Sequence, residues 1–107
     1  MNSKLIEYLN KTRNGKKDNI RVILFSEDTL TYYYLFDINM ENKDCVMMCE
    51  PINASRPYCE LYHVYLEEIQ YYIGPYQIVD GQSLGMPYKQ VLKRLQKIEE
   101  RLLSMSY

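Results

Sequence analysis

The sequence has no tryptophan, two phenylalanines and a single histidine. Glycine and proline number four each. So few glycines, at Gly15, Gly74, Gly81 and Gly85, cannot make a phosphate-cradling loop or a dinucleotide fingerprint. The serine-nucleophile elbow is also missing. No stretch approaches the ~18 apolar residues of a membrane span, and Met1 to Leu9 carries charges where a secretory leader needs an apolar run. Three cysteines, an odd number, read as free thiols in a reducing compartment, so the expected location is cytoplasmic and no disulfide is expected. A large excess of one charge sign is lacking too. The net charge is −1, which gives nucleic acid no overall basic field to meet.

What the chain does have is tyrosine, twelve of them. A phenol has a large apolar body and a polar tip, the combination enriched at protein interfaces. Apolar residues make up 47% and charged residues 25% of 107 residues. That fits one ordinary globular domain spanning residues 1–107.

The pattern along the chain predicts an α+β fold. A first helix starts near Ser3, runs to about Arg13 and stops at Asn14-Gly15, with Leu5, Ile6 and Leu9 as its stripe. Asn19 to Phe25 and Leu30 to Ile38 read as strands. Alternation puts Leu30, Tyr32, Tyr34, Phe36 and Ile38 on one face of the second, and Thr31, Tyr33, Leu35 and Asp37 on the other. A polar turn from Asn39 to Asp44 joins it to a strand over Cys45 to Cys49, and Pro51 to Pro57 is a loop. A fourth strand is expected over Tyr58 to Leu66, and a fifth within Tyr71 to Val79, interrupted at Gly74-Pro75. A long amphipathic C-terminal helix follows Pro87. Tyr88, Val91, Leu95, Ile98, Leu102 and Met105 form its stripe, and Leu95 and Ile98 are expected to be buried. The expected fold is therefore an N-terminal helix, an antiparallel sheet of four to five strands and that last helix. Bulk on both faces of the second strand requires cover on both sides, or a sheet curled into a small barrel.

The residue types that suit zinc are Cys45, Cys49, Cys59 and His63, but their spacing does not suit it. Residues four apart on a strand lie ~13 Å apart, too far to share one ion. Packed thiols beside Val46, Met47 and Met48 are the plainer expectation, with no metal and no cofactor. His63 with a thiol or a carboxylate is the remaining catalytic candidate. Adjacent Glu67 and Glu68 point to opposite faces of a strand and make a poor acid/base pair.

A short N-terminal helix followed by five bent antiparallel strands is similar in order to Sm-like RNA-binding barrels, and Tyr8-Leu9-Asn10 through Phe36-Asp37 resembles the opening of that fold. The resemblance implies a small closed barrel and an RNA partner. The chain departs from it at Tyr32-Tyr33-Tyr34, where those barrels favour glycine, and in its insertion before Tyr58 and its last helix.

Three functions follow, in order of support. The first is a non-enzymatic protein-binding domain, an adaptor, inhibitor or immunity-type protein. Its partner is another protein, met through Tyr33, Tyr71, Tyr72 and Tyr76, and it forms a homodimer partly through Leu92 and Leu103. The second is an RNA-binding module of Sm-like form. The third is a small enzyme built on His63.

Overall fold

The computed structural model describes residues 3–12, 15–52 and 60–105, without the side chains of Glu99 and residues 102–105. Helix α1 is Ser3–Lys11. Strands β1 (Val22–Ser26), β2 (Thr31–Asn39), β3 (Asp44–Pro51) and β4 (Leu61–Tyr65) follow. A 3-10 turn, Leu66–Glu68, leads into the short helix α2, Ile69–Ile73. The chain ends with β5 (Gln77–Val79) and α3 (Tyr88–Met105). The sheet has five strands in the order β4-β3-β2-β1-β5, and each pairing is antiparallel.

This sheet is open. β4 and β5 are its two edges, so the curled barrel, and with it the closure that the Sm-like order implies, is not formed. The layers explain why. Each face is closed by helices, so the sheet need not bend back on itself to hide its apolar side chains. On one face Leu5 and Leu9 of α1, with Leu66, Ile69 and Ile73, pack on Val22, Leu24, Tyr33, Leu35, Cys45, Met47 and Val64. On the other, Val91 and Leu95 of α3 pack on Ile20, Ile23, Tyr34, Phe36 and Met48. A fully buried leucine contributes roughly 1.5–3 kcal/mol, and Leu5, Leu9, Leu24, Leu35, Leu66 and Leu95 are all fully buried.

The alternation expected for β2 holds from Tyr32 to Phe36 and then inverts. Asp37 has φ +51°, and the register shifts so that two residues of β2 oppose one of β3. This bulge turns Ile38 to the Tyr33 and Leu35 face. Leu30 lies in the turn before β2, at φ +49°, and is 41% exposed. The β2–β3 turn is held by Asn39, whose side-chain oxygen accepts from the amides of Glu41 and Asn42 at 2.9 and 3.0 Å.

Two expected strands are shorter than the sequence suggests. β4 begins at Leu61, and Tyr58 lies outside the described residues. The fifth strand keeps only its last part, because Ile69 to Ile73 is helical. Leu66, Ile69 and Ile73 recur at spacings of three and four, and all are buried. That segment carries the chain from β4 at one edge, across the α1 face, to β5 at the other. Gly74, at φ +74° and ψ −168°, ends it, and the buried Ser26 hydroxyl donates to the Ile73 carbonyl at 2.6 Å.

Helix α1 ends at Lys11, two residues before the expected boundary at Arg13, which lies outside the described residues. Arg21 reaches its C-terminal end and donates to the Leu9 carbonyl at 2.9 Å. In α3, Leu95 is buried, but Ile98 is 37% exposed, so the expectation that both are core residues holds for Leu95 alone. No helix among the described residues is long and apolar enough to cross a membrane.

Candidate protein-binding surface

β4 is an edge strand with three of its five residues facing solvent as large hydrophobics. Leu61, Tyr62 and Tyr65 are each two-fifths to one-half exposed. Alternation sorts the strand. Tyr62 pairs with Met47 and Val64 with Cys45, which places both on the α1/α2 face. Leu61, His63 and Tyr65 belong to the opposite face.

On the α1/α2 face a groove of about 520 Å³ opens between β4 and α2. Its floor is Tyr33, Met47 and Cys49, and its walls are Tyr62 on one side and Tyr72 with Ile73 on the other. The rim is acidic. The Tyr62 hydroxyl donates to Glu60 at 2.6 Å, and the Tyr72 hydroxyl lies 3.4 Å from Glu68. The Tyr33 hydroxyl is tied to Thr29 Oγ1 at 2.9 Å. Tyr71, 87% exposed, stands beside Tyr72 with the ring planes near perpendicular. The apolar floor, aromatic walls and charged rim suit an apolar or aromatic side chain entering from outside.

Burial pushes the Cys49 thiol up to about 11, with the nearby Glu60 charge adding to it. Cys45, deeper in the same face, is pushed up to about 12 by burial and by Asp44 and Asp37. Both thiols are therefore protonated at neutral pH and poor nucleophiles.

The structure brings some of the anticipated interface residues together and separates others. Tyr72 walls the groove, and Tyr71 adjoins it. Tyr33 is buried, with 6% exposure, so it forms the floor and is not an outward contact. Tyr76 lies near the other edge, beside β5, packed against the α1-side core. Leu92, on α3, is half-buried against the far face of the sheet, and the side chain of Leu103 lies outside the described residues. Tyr62 and Tyr65 escaped the sequence reading. The signal for them was the run Leu61-Tyr62-His63-Val64-Tyr65, which lacks lysine and proline and turns out to be an edge.

The zinc-type residues do not converge among the described ones. Cys45 and Cys49 sit four apart on one strand, while His63 belongs to the opposite face of the sheet, and Cys59 lies outside the described residues. No group of three or more metal-ligating side chains occurs among the described residues. His63 instead meets a carboxylate, with Nε2 3.0 Å from Asp44 Oδ2, and its ring stands edge-on to Tyr65. More than half of the His63 side chain is exposed, so this pair lies at the surface, at the outer margin of the same groove.

A second polar cluster lies on the α3 face. The Tyr34 hydroxyl donates to Glu50, and Arg94 donates to the Tyr34 oxygen at 3.1 Å and to Glu50 at 3.4 Å. Burial, followed by the Glu50 carboxylate, holds the Tyr34 hydroxyl well above the usual tyrosine range. The cluster joins β2, β3 and α3.

No protein-family profile, no curated protein and no solved structure matches this chain.

Proposed function

We propose that the chain is a small protein-binding domain, of an adaptor, inhibitor or immunity type, that meets its partner through β4 and α2. The single observation that carries this is the groove between Tyr62 and Tyr72, open beside a sheet edge that is rich in exposed tyrosine. Exposed tyrosines grouped around one concavity are what a protein interface uses. They give large contact area at little cost in side-chain entropy, and their hydroxyls satisfy polar groups at the rim.

Panning a random-peptide display library against the folded protein tests the reading. Enriched peptides should shift the amide resonances of Tyr62, Tyr65, Tyr71 and Tyr72, and Tyr72→Ala should weaken them about tenfold or more, as loss of an aromatic anchor does. Enriched peptides that shift only the β5 edge or the outer side of α3 overturn it.

A further inference from the structure

The edge at β4 has its backbone turned outward in a definite register. The Leu66 amide donates to the Lys43 carbonyl at 2.7 Å, and the ladder runs on through Val64 opposite Cys45 and Tyr62 opposite Met47. In an antiparallel ladder, alternate residues bond to a given neighbour. Tyr62 and Val64 therefore bond to β3, and the N–H and C=O of Leu61, His63 and Tyr65 face away from the sheet, about 6.8 Å apart from one residue to the next. Those three residues pair with no other strand among the described residues.

Edges of this kind are normally blunted. Lysine, proline, a bulge or extreme shortness prevents a foreign strand from adding. At the opposite edge β5 is only three residues long. β4 is longer and has neither lysine nor proline. Its one potentially charged side chain, His63, is engaged by Asp44.

The ends of β4 select the occupant. Glu60 precedes it, Glu67 and Glu68 follow it, and all three are exposed. Lys43 in the neighbouring turn offsets only part of this charge. A second copy paired about a twofold at His63 would set its Glu60 opposite Leu66, next to Glu67 of the first, and like charges brought this close are unfavourable. A segment with lysine or arginine at its ends meets no such penalty.

We infer that β4 receives an extended, basic-ended segment of another protein as a sixth strand, with alternate apolar side chains of that segment packing against Tyr62 at the outer margin of the Tyr62–Tyr72 groove. This rests on the reading of β4 and α2 as a protein-binding surface. Backbone bonds at Leu61, His63 and Tyr65 give the segment its register. The face carrying Tyr62 reads every second residue, because side chains on an added strand alternate faces as those of β4 do.

Two display libraries of extended peptides test this. Both alternate Thr with Tyr, Val, Leu or Phe; one carries Lys or Arg at each end and the other Glu or Asp. The basic-ended library should yield binders and the acidic-ended one should not. In a binder, N-methylation of one alternate set of amides should abolish binding, while methylation of the other set is tolerated, because only one set faces β4. In the protein, His63→Pro removes an outward amide without touching the bonds to β3. It should weaken binding about tenfold more than His63→Ala, which keeps that amide. Binders from both libraries overturn the basic-ended occupant, equal sensitivity of the two methylated sets overturns the added strand, and either result leaves the wider protein-binding reading standing. Failure of both libraries and of the random library together overturns both. If His63→Pro does not fold, the methylated peptides still decide the question.

Discussion

Arg94 of α3 donates to the Tyr34 hydroxyl of β2 across 3.1 Å, joining residues sixty apart in the chain, and Tyr34 in turn donates to Glu50 of β3. α3 is thereby fixed on the sheet by a polar latch as well as by Val91 and Leu95. Tyr34→Phe removes the shared hydroxyl and leaves Arg94 and Glu50 to pair alone at 3.4 Å. The expected cost is about 1–3 kcal/mol, the range for hydrogen bonds to charged groups, read as a lower urea midpoint with an unchanged slope. A midpoint equal to that of the parent protein refutes the latch.

Alkaline pH should destabilise the fold through groups whose ionisation the core opposes. Burial, and for Cys45 the charges of Asp44 and Asp37, pushes the folded thiols up to about 12 for Cys45 and about 11 for Cys49, each from 9.0, and Tyr34 is raised as well. In this range the unfolded chain releases protons that the folded chain keeps, so stability is intact below about pH 9 and falls as pH rises toward 12. Denaturant midpoints measured from pH 8 upward should decline, and more gently in Cys45→Ala than in the parent. A Cys45→Ala curve parallel to the parent's contradicts the assignment to this thiol.

The C-terminal end of α2 depends on Gly74, whose φ of +74° and ψ of −168° belong to a region that only glycine enters easily. An added Cβ would also sit 2.8 Å from Asp28 Oδ2. Asp28 is exposed and can swing away, so backbone strain outweighs the contact. Gly74→Ala should cost about 1–3 kcal/mol, and adding Asp28→Ala should not restore it. Full rescue by the double substitution would make the contact, not the strain, responsible.

Leu95 and Ile98 are neighbours on the α3 stripe with different fates. Leu95→Ala should cost about 2–5 kcal/mol, because it opens a cavity in a packed core. Ile98→Ala should stay within about 0.5 kcal/mol in the monomer, as expected for a surface position. Self-association is expected to act through α3, at Leu92 and Leu103, and Ile98 lies exposed on the same helix. Sedimentation equilibrium at micromolar concentration should give a dimer that Ile98→Glu weakens. A monomer mass that holds at rising concentration removes the homodimer.

Where one apolar period runs unbroken, the fold was legible residue by residue. Tyr32 to Phe36 alternate as strands do, Leu5 and Leu9 recur as on a helix, and Asn39 carries its own turn chemistry. The candidate site was less legible. Tyr71 and Tyr72 were noticed for their ring type, while Tyr62 and Tyr65 were indistinguishable from core tyrosines until β4 proved to be an edge.

By itself, then, the sequence determined α1, the first four strands and α3 in their order, and it left the sheet either covered on both faces or curled into a barrel, because periodicity and turn residues act locally. Tertiary structure alone decided the rest. It decided that β4 and β5 lie at opposite edges, that Leu66, Ile69 and Ile73 leave the strand period to cross one face, that the bulge at Asp37 sends Ile38 to the other side, and that Ile98 falls beyond the sheet's cover. Each of these depends on what packs against a residue from far along the chain, and that is settled only when strand order and the area of the sheet are fixed.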